Sequence, residues 1–417
     1  MAGFPARTGA GTGPTATSGR VDGPFRLLIL AGFASLTGDG IRMAALPLFA
    51  AISTHSPLAV SAVATAEVLP WLLVALPAGA LVDRCSPRKV VLTAHCVRAL
   101  AATGLAVAVF THHAGLPVLI VAAFVLTSGE TFADSAFQLL LVELSGRERL
   151  DKANSWYVAA ETLGLDFGGP LLAALMFTWQ PGACFALNAL TFLISAGCVA
   201  ALPEVSVSRE IPGPRATPLP MRRQLADGIR FLLRDRTLRT LVMAVVASAV
   251  AVSAANALIS LYAIGPLAIR AALVPTLWIA QAVGTLFAAW LVPRVAARFG
   301  DGRTMVGALS LLGVAFVAVG AVPVAGSVWV AYLLVGVGAG GWNVLSATRR
   351  QRLTPSAMMG RVTSAYRMLA WGLMPLGAAL AGPLAKVTSL ATVFVVVGGI
   401  VVAVAIAAAR PLARTGR

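Results

Sequence analysis

The sequence predicts an all-α membrane protein of twelve transmembrane helices in two pseudo-symmetric halves of six. Three observations predict it. Of 417 residues, 58% are hydrophobic and only 12% charged, with a mean hydropathy of +0.86, whereas a globular domain is nearer half apolar with about twice the charge. Twelve apolar runs are long enough to cross a bilayer, which takes about 20 residues each. A polar, proline-rich stretch divides them six and six.

The runs start near Phe25, Leu58, Arg88, Leu116, Lys152, Gly182, Leu238, Ala272, Thr304, Ser327, Val362 and Thr388. Lipid offers the backbone no hydrogen-bond partner, so runs of this length close their bonds internally as helices; barrel strands are half as long. Residues 1–24, rich in Gly, Thr, Ala and Pro, read as a disordered cytoplasmic tail. Residues 25–202 carry the first six-helix bundle. The linker 203–237 begins with Pro203, Pro212, Pro214, Pro218 and Pro220. It continues as QLADGIRFLLRDRTLR, in which Leu225, Ile229, Leu232 and Leu233 recur at helical spacing opposite Arg222, Arg230 and Arg234. Residues 238–409 form the second bundle and 410–417 a short tail.

Charge placement sets the expected orientation. If both termini are cytoplasmic, then of 32 Lys and Arg only Arg270 and Lys386 face outward, and Arg42, Arg98 and Arg367 lie within spans. That is the positive-inside rule. The formal net charge of +16 would suggest a nucleic-acid partner in a soluble protein; here the cations follow the membrane, and no nucleic acid is expected. Arg far outnumbers Lys, and Ala and Gly abound, as in a GC-rich bacterial genome. A bacterial cytoplasmic membrane is the expected location. Cys85, Cys96, Cys184 and Cys198 show no paired spacing, so neither disulfides nor a metal site are expected.

A faint internal repeat supports the two halves. DKANSWY (Asp151–Tyr157) resembles GRVTSAY (Gly360–Tyr366) at a constant offset of 209, each opening the fifth span of its half. Parallel repeats of six spans with a solute site between them are a recognised transporter architecture.

Specific stretches point further. GALVDRCSPRK (Gly79–Lys89) resembles the loop between the second and third helices of the major facilitator superfamily. GDGIRMAALPLF, SPLAVSAVATAEVLPWLL, RERLDKANSWYVAAETLG and LADGIRFLLRDRTLR are similar to its branch of macrolide-efflux proteins and the enterobactin exporter, from about Phe25 to the C-terminus. Departures exist: Ser86 and Pro87 stand where Gly and Arg are usual, and Val142 where Pro is common. GLDFGGPLLAA resembles the antiporter motif of the fifth helix, with Ala173 and Ala174 replacing its closing glycines. The resemblance implies the major facilitator fold. It also implies a cytoplasmic latch of Gly79, Asp83, Arg84 and Arg88, in which Asp83 meets the start of the eleventh helix near Arg361 or Arg352.

All intramembrane acids lie in the first half: Asp39, Glu67, Glu130, Asp134, Glu161 and Asp166. Only Arg42 and Arg98 offset them, so full ionisation would leave uncompensated charge in a low-dielectric region, and protons are expected to load and leave there. Glu130, Asp134 and Gln138, four apart, share one helical face and are expected to line a central cavity. Glu130 ranks first for proton coupling, then Asp39, then Asp134 and Glu67. Arg98 is expected beside Asp134 or Glu161, and Asp39 beside Arg42. The second half offers Asn256, Gln281, Asn343, Tyr366 and Arg367, with Trp342 and Trp371, a wall suited to an amphiphilic solute. Gly-rich LVGVGAGGWN in the tenth span is expected to bend the helix or, more readily, to let it pack closely.

Together these residues lead to a secondary active transporter, a monomer without catalytic residues or cofactor, that uses a proton gradient to export an amphiphilic small molecule. Import by proton symport and lipid flipping remain alternatives. A non-transporting receptor or membrane enzyme is more remote, because HExxH, GxSxG and Walker patterns are absent from the sequence.

Overall fold

The structure, a computed structural model, describes residues 23–82, 84–146, 149–203, 221–355 and 358–413. The first half comprises α1 (Gly23–Thr54), α2 (Pro57–Leu73), α3 (Ala75–Val82), α4 (Pro87–Phe110), α5 (Leu116–Ser145), α6 (Leu150–Glu161), α7 (Gly169–Trp179) and α8 (Pro181–Ala200). The linker contributes α9 (Met221–Arg234). The second half comprises α10 (Arg236–Ile264), α11 (Thr276–Phe299), α12 (Asp301–Ala321), α13 (Ala325–Leu353), α14 (Met359–Gly372), α15 (Met374–Val387) and α16 (Leu390–Ala413).

Eleven of these segments, counting α6–α7 and α14–α15 each as one, are long and apolar enough to cross a membrane. The shorter apolar α2, continued by α3, is the twelfth span. Local chemistry sets the starts. Ser56 caps α2, its hydroxyl accepting from the Ala59 amide at 3.5 Å, with Pro57 in the first turn. Asp235 caps α10 by accepting from the Leu238 amide at 2.8 Å. Helix also runs a few residues into both expected tails, from Gly23 and to Ala413.

Three spans expected to be continuous are broken, each just ahead of a proline. Pro77 cannot bond to the Leu73 carbonyl, and the second span breaks at Val74. Pro375 stands in the same relation to Trp371, and the eleventh span breaks at Leu373. In the fifth span Pro170 cannot donate to Asp166. The chain inserts a π-helix over Thr162–Gly168, in which the Gly169 amide bonds Gly164 five residues back. Met359 follows Leu150 by the same 209 residues as the internal repeat, so the two kinked spans occupy equivalent places in the halves.

Small residues set the closest crossings. Gly336 on α13 lies against the Gln281 carbonyl on α11, and Gly284 on α11 against Leu333 on α13. This is the close packing that the Gly-rich tenth span suggested.

The halves touch at the end of the bundle opposite the chain termini. Ser61 donates its hydroxyl to the Ala378 carbonyl, and the Gly382 amide donates to Ser61 Oγ at 3.0 Å. A Cβ on Gly382 would stand 2.7 Å from the Pro57 carbonyl, so α2 and α15 meet backbone to backbone. Ser61→Ala should weaken this closure by about 1 kcal/mol, the usual worth of one hydrogen bond. Faster labelling of a cysteine placed at Ala64, by a thiol reagent added at that end, checks it.

Candidate functional site

The site is built where α1, α2, α4 and α5 converge. Arg42 (2% exposed) and Arg98 (0%) are among the largest fully enclosed side chains of the protein. Burying a guanidinium costs several kcal/mol unless carboxylates surround it, and both are so surrounded. Arg42 pairs through Nη1 with Glu67 and through Nη2 with Glu130 at 2.7 Å, while its Nε lies 3.7 Å from Asp39. Arg98 pairs through Nη2 with Asp39, donates from Nη1 to Ser35 at 3.3 Å, and lies 4.0 Å above the Phe192 ring. Two cations thus hold three carboxylates.

The expected partner of Arg98 is corrected: it meets Asp39 on α1, not Asp134 or Glu161. Gly129 explains this, because a Cβ there would lie 2.5 Å from Arg98 Cγ. With only hydrogen at that position on α5, the arginine stem passes α5 and reaches α1. The expected Asp39–Arg42 contact is present, though Asp39 also takes Arg98.

A cavity of about 430 Å³ opens beside this network, within the range of small-molecule sites. The first half lines it with Arg42, Met43, Glu67, Trp71, Glu130, Asp134, Tyr157 and Glu161. Ser253, Asn256, Trp278, Trp371 and Met374 line it from the second. Trp71 and Trp371 meet edge to face across the halves at 5.0 Å. The Ser61–Ala378 contact closes the cavity at the distal end. One turn toward the termini from Asp134 and Trp371, Gln138 bonds Tyr157 and Arg367 stands near Asp134 and Glu161, and both are exposed, so the cavity opens on that side. Asp134, Glu161 and Asp166 have no salt bridge among the described residues.

Several expected cavity residues, and the proton-coupling candidate Asp166, lie elsewhere. Asp166 and Gln281 share a smaller pocket of about 150 Å³ between α11 and the π-helix. Asn343 is exposed and away from the cavity, whereas Gln138 and Arg367 stand at its mouth, outside the lining itself. Tyr366 is buried with Arg350 stacked 3.9 Å over its ring, on the side of α14 that faces α13. Of the five second-half candidates, only Asn256 lines the main cavity; its Oδ1 is buried without a partner. Such an atom favours a ligand or water that can donate to it.

Asp83 of the expected latch lies outside the described residues. Gly79 is half-buried on α3 and Arg84 exposed. Arg88 donates to the Val199 carbonyl at 3.1 Å and the Ala200 carbonyl at 2.5 Å, at the C-terminal end of α8. Arg361 lies 3.8 Å from Asp227 on α9, and Arg352 3.4 Å from Asp301.

Sequence reasoning missed Trp71, Trp278 and Tyr157, which give the cavity much of its aromatic surface with Trp371. Trp71 lies well inside its span rather than at an end where Trp anchors to the interface, a signal that was available. Among the described residues, no cluster of three His, Cys, Asp or Glu side chains is arranged to hold a metal.

This arrangement of two helical halves around a polar cavity has known counterparts. Residues 28–379 match the family model of the Major Facilitator Superfamily. The chain belongs to that superfamily. Among similar proteins, the multidrug efflux pump Tap of Mycolicibacterium fortuitum is 30% identical over 392 residues, 89% of this chain and 91% of that one. An uncharacterized MFS-type transporter, y4rN, of Sinorhizobium fredii is 28% identical over 390 residues, 91% and 92% of the two chains. The solved nucleoside transporter NupG shares the fold with a TM-score of 0.77 at 12% identity, covering 94% of this chain and 99% of its own. A bacterial homologue of the iron transporter ferroportin, in an inward-facing state, gives 0.72 at 16%, covering 94% and 98%. The chain is therefore a multi-pass membrane transporter and not an enzyme.

Proposed function

We propose that the protein exports an amphiphilic, preferentially cationic small molecule in exchange for protons, by alternating access. The observation that carries this reading is the cavity wall: four carboxylates, Glu67, Glu130, Asp134 and Glu161, interleaved with Trp71, Tyr157, Trp278 and Trp371. Carboxylates neutralise a cation, and ring faces attract it while covering its apolar body. Asp134 and Glu161, with no salt bridge of their own, are suited to receive either the solute or a proton.

Coupling follows from competition. Protonating Glu130 or Glu67 removes a charge that Arg42 holds, and a bound cation opposes that protonation, so solute and proton exclude each other in one cavity. The solute enters from the side of the termini, the α2–α15 contact opens as the halves rock, and the proton arriving from the far side releases the solute and resets the carboxylates. Asp39, held by both arginines, transmits the change between them. The arginine distribution favours both termini lying in the cytoplasm of a bacterial cell, and the opening is then cytoplasmic. The proton gradient supplies the energy, no cofactor is needed, and one chain contains the whole path. The similarity to an efflux pump favours export over import.

Proteoliposomes carrying an imposed pH gradient and ethidium as the probe test the reading. Ethidium moving against the proton flux supports exchange; co-directional movement establishes symport instead. Glu130→Gln should abolish gradient-driven uptake while leaving the melting temperature within a few degrees of the parent. Undiminished uptake would remove Glu130 from the proton path.

A further inference from the structure

The linker helix α9 turns one face to the bundle and the other away from it. On the inner face Gly228 abuts the Arg361 carbonyl and stands close to Ala365 on α14, Leu232 is fully buried, and Asp227 faces Arg361. The outer face is a shallow groove of about 670 Å³ lined by Ala226, Ile229, Arg230, Leu233 and Arg234. Leu233 is 41% exposed and the Arg230 side chain 76%. Arg239, in the first turn of α10, reaches the Leu233 carbonyl at 3.5 Å, so a third guanidinium stands beside the two that line the groove.

The acids of this segment are already engaged. Asp227 lies between Arg230 at 3.5 Å and Arg361 at 3.8 Å, and Asp235 accepts from the Leu238 amide. Arg234 and Arg239 have no salt bridge among the described residues. The helix ends one residue before the membrane span α10 and packs against the first turns of α14. It therefore lies level with the ends of two spans, at the depth of the phospholipid headgroups.

We propose that this groove binds an anionic phospholipid. The headgroup phosphate accepts hydrogen bonds from Arg230 and Arg234, Arg239 adds its charge, and the glycerol and upper acyl chain cover Ala226, Ile229 and Leu233. Guanidinium pairs with phosphate in bidentate fashion, and an exposed leucine flanked by arginines belongs at a water–lipid boundary, not in bulk water. The Asp227–Arg361 pair and the Gly228 contact fasten α9 to α14, which carries Trp371 of the cavity. A bound lipid therefore holds the linker against a helix that lines the transport path.

The full chain, delipidated and reconstituted in vesicles of phosphatidylcholine with or without phosphatidylglycerol, tests this by the lipid each sample retains on re-extraction. The parent protein should retain phosphatidylglycerol in preference to phosphatidylcholine. R230Q/R234Q should lower that preference at least roughly tenfold, and R303Q, an exposed cation on α12, should leave it unchanged. I229S/L233S, with every cation intact, should also lower retention, which guards against misfolding of the first variant. Equal retention of both lipids by the parent, or unchanged retention by both double variants, would overturn the proposal. So would release of the lipid by equimolar inorganic phosphate, which would make the groove a free-phosphate site.

Discussion

Arg42→Met is expected to abolish gradient-driven transport and to destabilise the protein by about 3–5 kcal/mol, the usual cost of stripping one partner from a buried ion pair. Methionine nearly preserves the apolar stem, so little of the loss comes from packing. What disappears is the cation between Glu67, Glu130 and Asp39. Three carboxylates would then share Arg98 alone, which is already bonded to Asp39 and Ser35. Thermal denaturation of the purified variant gives the first quantity, and ethidium exchange in vesicles the second. If Arg42→Met melted and transported like the parent, the two-arginine, three-carboxylate network would not be the coupling element. Adding Glu67→Gln to Arg42→Met should recover part of the stability, because it removes one of the orphaned charges, without restoring transport.

Gly169→Val should impair folding by a comparable amount, a loss of at least about 3 kcal/mol, the upper end for overpacking a tight interface. A Cβ on Gly169 would stand 2.5 Å from Gly40 Cα and 2.7 Å from the Ile41 amide. The obstacles are backbone, so no side chain can rotate away, and α1 must separate from α7. That separation displaces Arg42, two residues beyond Gly40, from the carboxylates it neutralises. Gly169→Ala already carries the offending carbon and should fail in the same direction. Gly197→Ala is the control, since a Cβ there meets nothing within 4 Å. Yield of monodisperse protein and its melting temperature distinguish the three variants.

Both variants act where the sequence was partly readable. The span starts follow from the length and polarity of the runs, because lipid enforces helix wherever about 20 apolar residues occur together. The six acids stand out for the same reason, as charges that hydrocarbon penalises. Which arginine meets which acid could not be read. Arg98 lies 59 residues from Asp39, and their pairing depends on how α1, α4 and α5 cross. Gly129, unremarkable in the sequence, decides it by leaving room for the arginine stem.

The second-half wall was legible only as a list of polar residues. A helix presents residues in all directions, and without its rotation a polar side chain is as easily outside the cavity as inside it. Asn256 faces in, Gln138, Asn343 and Arg367 are exposed, and Tyr366 turns toward Arg350. Trp71 and Trp278 were overlooked because an uncharged ring within a span is as readily packing or an interfacial anchor as a cavity wall.

The sequence by itself therefore determined the class of protein, the number of spans and the confinement of intramembrane acid to one half, because each follows from the one-dimensional cost of placing a residue in lipid. Tertiary structure alone decided the partners of those acids, which polar residues of the second half reach the cavity, and which aromatic rings enclose it. Those depend on helix rotation and crossing height, which are set by contacts between residues far apart in the chain.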